Sequence, residues 1–203
     1  MNTDTIRDDL AFMKALAETG GQTQWAGGAA FVAGGVLYGF QCLVQWAQAE
    51  GLVVMSPLMT ILFIVGITVA FTIAMIVVGY RGRKTKQHGI ANKAFQSVFA
   101  ASGLGTLALF TIFASVAIPR QSIVIWELYP ASLFALQGSA WCVAFMLRRR
   151  LWLAAVSAGW FASAISLGLL VGTLNYVLVA AFALFVFMAL PGAYMMHLSR
   201  EAA

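Results

Sequence analysis

Charge is what this sequence has least of. Only 9% of its 203 residues are charged, against roughly a quarter in ordinary soluble domains, while 62% are hydrophobic. A globule of this size cannot hide so much apolar surface, which excludes a water-soluble fold and predicts an integral membrane protein. Histidine is scarce too: His88 lies in a basic loop and His197 near the C-terminus. With neither in an apolar segment, bis-histidine haem ligation and a histidine metal site at membrane depth have no ligands. The two cysteines, Cys42 and Cys142, fall in opposite leaflets, so they are expected as two free thiols. There is no CxxC, HExxH or GxSxG pattern. Ser102 in "ASGLG" has no base at membrane depth to activate it and reads as a packing residue. No cofactor and no enzymatic activity are expected. The first twenty residues lack the parts of a cleavable signal peptide, so insertion is expected to use an uncleaved first helix.

What the chain does have is six long apolar segments. A helix needs about 20 mostly apolar residues to cross the hydrocarbon core. Residues 24–48, 57–80, 94–118, 123–147, 152–171 and 176–196 each satisfy this. The expected fold is all-α: a six-transmembrane-helix bundle over residues 22–198, preceded by an amphipathic cytoplasmic helix over residues 1–21. Three-plus-three inverted repeats are not visible, because the long basic loop of the first half faces only the short "GTLN" turn of the second.

The net charge of +5 sits in clusters between the spans rather than along one face, which excludes nucleic-acid binding. Arg81, Arg83, Lys84, Lys86 and Lys93 follow span two, and Arg148, Arg149 and Arg150 separate spans four and five. Lys and Arg near span ends are retained in the cytoplasm. Both termini are therefore expected inside, in a bacterial inner membrane, with Arg120 as the one basic residue outside. Arg81, Arg83, Lys84, Lys86 and the 148–150 triplet are also the expected contacts for anionic lipid head groups.

Small residues predict packing. Gly28, Gly35 and Gly39 line one side of span one, and Ala155, Gly159, Ser163 and Ser166 one side of span five; span three carries "AASGLGT". Small residues let backbones approach where lipid is as apolar as leucine, so spans one, three and five are expected at the centre. Spans two and six are bulky and nearly uniform, and are expected to face lipid.

Polar residues within the spans are few. Tyr38, Gln41, Gln45 and Gln48 recur at intervals of three and four on the outer half of span one, and so share a face. By the 1.5 Å rise per residue, Gln137 on span four lies at about the depth of Gln41, so a contact between them is allowed. With Asn175 at the outer turn of span six, these residues either line an outward vestibule or serve as interhelical hydrogen bonds. Glu127 is flanked by Trp126 and Tyr129, which favour the membrane interface. It reads as an anchor at the outer rim or the gate of a vestibule, paired to Arg120 if the intervening turns are helical. Pro130 is expected in the first embedded turn, where its missing N–H matters little.

The N-terminal segment reads as a helix started by Thr5 and Asp8 and ended by Gly20 and Gly21. Its acidic face is unsuited to anionic lipid. It is expected to fold back on the basic loops or to dock a partner through Asp8, Asp9, Phe12, Met13 and Leu16. The partners this allows are the bilayer itself, anionic lipids, a cytoplasmic or membrane protein, and a second copy in a homo-oligomer. The expected function is a non-enzymatic accessory or regulatory subunit. The alternative is a passive channel or facilitator for a small neutral solute, with Gln41, Gln45 and Gln137 lining its outer part.

Overall fold

The computed structural model describes residues 3–82 and 90–201, and side chains within 25–80, 94–95 and 97–201. All regular structure there is helical: α1 (Thr3–Ala49), α2 (Pro57–Gly82), α3 (Ile90–Arg120), α4 (Ile123–Arg148), α5 (Leu151–Leu169), α6 (Asn175–Leu184), a π-helical turn (Phe185–Ala189) and α7 (Leu190–Glu201). The last three run on as one span. Six helices are long and apolar enough to cross a bilayer, as a multi-pass membrane protein requires.

The turns follow from local chemistry. Gly51 takes a left-handed φ of 74°, and the Leu52 N–H donates to the Ala47 carbonyl, closing α1 in a Schellman motif. Ser56 then caps α2, accepting from Met59 N at 3.3 Å, with Pro57 at the first helical position. Between α3 and α4 the reversal takes two residues: Gln121 is left-handed, and Ser122 caps α4 by accepting from Ile125 N at 3.4 Å. These turns at 50–56 and 121–122, with the one at 170–174, define what is here called the turn face. The Arg149–Arg150 turn and the end of α7 define the opposite, terminal face.

Around the bundle the order is α2, α1, span six, α5, α4, α3, each packed on the next. Span six, not span three, is at the centre: it is the most buried of the six, while α3 packs along its length on α4 alone. The expectation that span six faces lipid is therefore corrected. Its bulky residues are interrupted by Ala180, Ala181 and Ala183, all buried, and by Gly192, and these small positions let it lie against α1. A Cβ on Gly192 would sit 2.8 Å from Val32 N, and one on Gly35 would sit 2.5 Å from Ala189 N. Span two buries none of its most apolar window, as its bulky composition predicts.

The π-turn has an identifiable cause. Pro191 has no N–H to give the Phe187 carbonyl, and its ring crowds that same carbonyl in a regular α-helix. The chain widens instead, so that the N–H of Leu190 reaches Phe185 O, five residues back. The freed Phe187 carbonyl accepts from Trp160 Nε1 of α5 at 3.0 Å. A backbone carbonyl left unpaired at membrane depth costs several kcal/mol, about the scale this indole offsets.

One further expectation changes. Gly20 and Gly21 do not end a separate helix: α1 continues through them for 47 residues. Each glycine costs only about 1 kcal/mol in a helix interior, and no proline follows to enforce a stop. Pro130 lies inside α4, eight residues after the Ser122 cap.

Candidate ligand cavity

All six spans contribute to one cavity of about 500 Å³ in the half of the bundle nearer the turn face. Polar groups reach it as Tyr38 and Gln45 from α1, Thr106 from α3, and Tyr129 and Gln137 from α4. Its apolar wall includes Phe71, Leu133, Phe134, Leu184 and Met188, with Trp160 and Tyr176 behind. No Asp, Glu, Lys, Arg or His side chain lines it. The π-turn shapes one wall directly, since Leu184 precedes it and Met188 lies within it.

Toward the terminal face the interior is closed by rings. Phe31 of α1 meets Phe99 of α3 and Trp141 of α4, each with ring centroids 5.1 Å apart. Phe95 stacks behind Phe99 at 4.7 Å, and Trp152 behind Trp141 at 6.1 Å. Arg148 lies over the Phe95 ring, 4.4 Å from its centroid, so the basic triplet ends on this aromatic layer rather than in the cavity.

Gln137 of the lining has an Oε1 buried without a hydrogen-bond partner among the described residues, as are Ser102 Oγ and Trp141 Nε1 of residues outside the lining. Gln137 and Trp141 stand one turn apart on the same face of α4. Ser102 and Trp141 each lie eighteen residues from the adjoining helix ends, Arg120 and Ile123, and so at a common depth of about 27 Å by the helical rise. Thr106 hydrogen-bonds back to the Ser102 carbonyl at 3.0 Å, leaving the Ser102 hydroxyl itself unengaged.

The ring of helices has one break. Among the described residues every neighbouring pair packs along its length except α2 and α3, and both contribute to the cavity wall, through Phe71 and Thr106. A seam therefore runs between α2 and α3 at the level of the cavity, and toward the terminal face Phe31 of α1 reaches Phe99 of α3.

Of the residues singled out in the sequence, Tyr38, Gln45 and Gln137 are brought together in the cavity. Gln41 is not in its lining, and its Oε1 is buried without a partner. No Gln41–Gln137 bond forms: neither Oε1 has a hydrogen-bond partner among the described residues. Gln48 bonds instead to Thr60 of α2 at 2.9 Å. Asn175 is exposed at the start of α6. Glu127 is outside the cavity: its Oε2 accepts from Gly172 N at 2.7 Å, and its backbone carbonyl accepts from Tyr176 Oη. The expected Arg120–Glu127 pair does not form, since the left-handed turn at Gln121 interrupts the helix between them. Arg149 and Arg150 are exposed. Arg83, Lys84 and Lys86 lie outside the described residues, and the side chains of Asp8, Asp9, Phe12, Met13, Leu16 and Arg81 do as well. The sequence reading did not single out the three unpartnered atoms as a group, because Ser102 lies on a different helix from Gln137 and Trp141 and only its depth relates it to Trp141.

No family model matches the chain, and neither the curated proteins nor the solved structures compared with it give a match.

Proposed function

We propose that the protein is a non-enzymatic membrane protein of accessory or regulatory kind, and that its central cavity binds a neutral small molecule. The observation that carries this reading is a cavity of about 500 Å³ with an uncharged lining and an aromatic floor. The volume falls within the range usual for small-molecule sites, which are mostly apolar with a few placed polar groups. A mostly apolar wall without a counter-charge at membrane depth disfavours an ion, which supports a neutral ligand.

The accessory role rests on α1. At 1.5 Å per residue, a helix of 47 residues is about 70 Å long, more than twice the thickness of the hydrocarbon core. The part before Trp25 is suited to carry a docking surface for a partner protein. The basic residues at 81–93 and 148–150 favour an orientation in a bacterial inner membrane with both chain ends in the cytoplasm. Anionic head groups gather at those same residues.

Mass spectrometry of small molecules that co-purify with the chain tests this reading. A single neutral compound near one per chain is expected with the native sequence. It should be lost in Val177→Phe, which fills the cavity, provided that variant still unfolds cooperatively. No retained compound, or equal retention by Val177→Phe, would count against the site.

A second reading, passive passage of a small neutral solute, is favoured by Tyr38, Gln45 and Gln137 in the lining. Stopped-flow shrinkage of proteoliposomes in glycerol or urea separates the two. Binding without passage predicts protein-free rates, because Phe31, Phe99 and Trp141 close the path.

A further inference from the structure

The cavity's wall, floor and seam together define what it takes and by which route. We propose that it is filled sideways from the bilayer, through the seam between α2 and α3, by a neutral amphiphile with a hydroxyl-bearing aromatic head and an apolar tail. This rests on the reading of the cavity as a ligand site and adds the ligand's class and its path.

Three observations converge. First, the break in the ring faces the membrane, because α2 and α3 are the two most lipid-exposed helices of the bundle. A molecule arriving there is already dissolved in hydrocarbon, and its tail stays in the seam while its head enters. Second, the wall is unusually rich in rings: Tyr38, Phe71, Tyr129, Phe134, Trp160 and Tyr176. Aromatic faces and edges favour a flat ring by about 1 kcal/mol per pair beyond the area buried, which a branched glycerol head does not gain. Third, Gln137 of the lining carries an unmet acceptor, its Oε1, while the unmet donor Trp141 Nε1 lies one turn further along α4, outside the lining, with Ser102 at its level. Trp141 and Ser102 are both more than nine-tenths buried. A ligand hydroxyl can donate to the Gln137 amide oxygen, whereas a carbonyl only accepts and a hydrocarbon does neither.

The probe that carries all three features is 4-nonylphenol, with nonylbenzene lacking the hydroxyl and phenol lacking the tail. Tritiated 4-nonylphenol is titrated onto the intact chain in nanodiscs by scintillation proximity, with empty nanodiscs subtracted. Saturable binding is expected, and nonylbenzene should compete about tenfold more weakly, the usual effect of leaving a buried polar pair unmet. Gln137→Leu should abolish the preference for the hydroxyl while still binding both. Thr106→Trp, at the seam, should slow association at least tenfold and leave the unfolding midpoint near that of the parent. Equal affinity for nonylphenol and nonylbenzene would overturn the role of Gln137. An association rate unchanged by Thr106→Trp would overturn the lateral path. If phenol binds saturably and nonylphenol does not, the cavity is a site filled from water; the proposed function then stands and this inference fails. If none of the three binds, both fail.

Discussion

Gly28 of α1 and Gly192 of α7 face each other across the centre of the bundle so closely that each hydrogen stands where a methyl would strike the other's backbone. A Cβ on Gly28 would lie 2.6 Å from Gly192 O, and one on Gly192 would lie 2.7 Å from Gly28 O. In hydrocarbon such an approach is the main source of helix association, because no water is released on contact. Gly192→Val should therefore destabilise the protein by about 2 to 3 kcal/mol through overpacking against backbone that has nowhere to move. Gly66→Ala on α2, which meets nothing within 4 Å, should be neutral or slightly stabilising. Thermal unfolding midpoints of the two variants in nanodiscs decide the matter, and equal shifts would contradict it.

The indole of Trp160 and the ring of Pro191 should be energetically coupled, although one lies on α5 and the other on α7. Trp160→Phe orphans the Phe187 carbonyl and should cost about 1 to 3 kcal/mol for the unpaired group, besides any packing loss. Pro191→Ala restores an N–H that can reach that carbonyl, so the same Trp160→Phe change should cost clearly less in its presence. A double-mutant cycle of unfolding free energies gives the coupling directly. A value within error of zero would mean that Trp160 Nε1 does not serve the carbonyl that Pro191 leaves open.

Glu127 is a clasp for the turn between α5 and α6. Its acceptor role survives in the amide of Glu127→Gln, which should shift the unfolding midpoint little. Glu127→Leu leaves Gly172 N without an acceptor at the bilayer edge and should cost about 1 to 2 kcal/mol. If Gln and Leu behave alike, the contact is incidental.

The orientation can be read with single thiols in a Cys42→Ser, Cys142→Ser background. Gln121→Cys should react with a membrane-impermeant maleimide applied to spheroplasts, and Arg150→Cys only after the membrane is opened. The reverse pattern would invert the topology. Removing residues 1–20 should leave the unfolding midpoint within a few degrees of the parent and reduce the set of co-purifying proteins. An unchanged set would set aside the docking role of α1.

The positions of the spans were legible because hydropathy is additive along a helix and needs no knowledge of neighbours. The glycine side of α1 was legible for a similar reason: Gly28, Gly35 and Gly39 recur at helical spacing. Which helix fills that side was not, because bulky Leu, Phe and Val in span six suit lipid and protein equally. The discriminating marks were Ala180, Ala181, Ala183 and the Pro191–Gly192 pair, whose meaning depends on a partner. Glu127 was placed near the bilayer edge by its aromatic neighbours, yet its partner lies 45 residues away in sequence. Of the candidate polar residues, Tyr38, Gln45 and Gln137 share one cavity, whereas Gln41, one turn from both Tyr38 and Gln45, packs elsewhere. A face of a helix spans about 100°, which is too coarse to separate them.

The order of packing also sets a schedule. The helices α3, α4 and α5 are joined to their immediate successors, so they can settle together as each leaves the ribosome. The glycine face of α1 is different, because its partner is the last span to be made. Until the last span has entered the bilayer, the side of α1 that carries Gly28, Gly35 and Gly39 lacks its partner, and the first helix has only α2 to pack on through the synthesis of the spans between. Closing of the bundle is thus tied to completion of the chain: a product cut short before the Pro191–Gly192 step would keep its spans yet never acquire a centre.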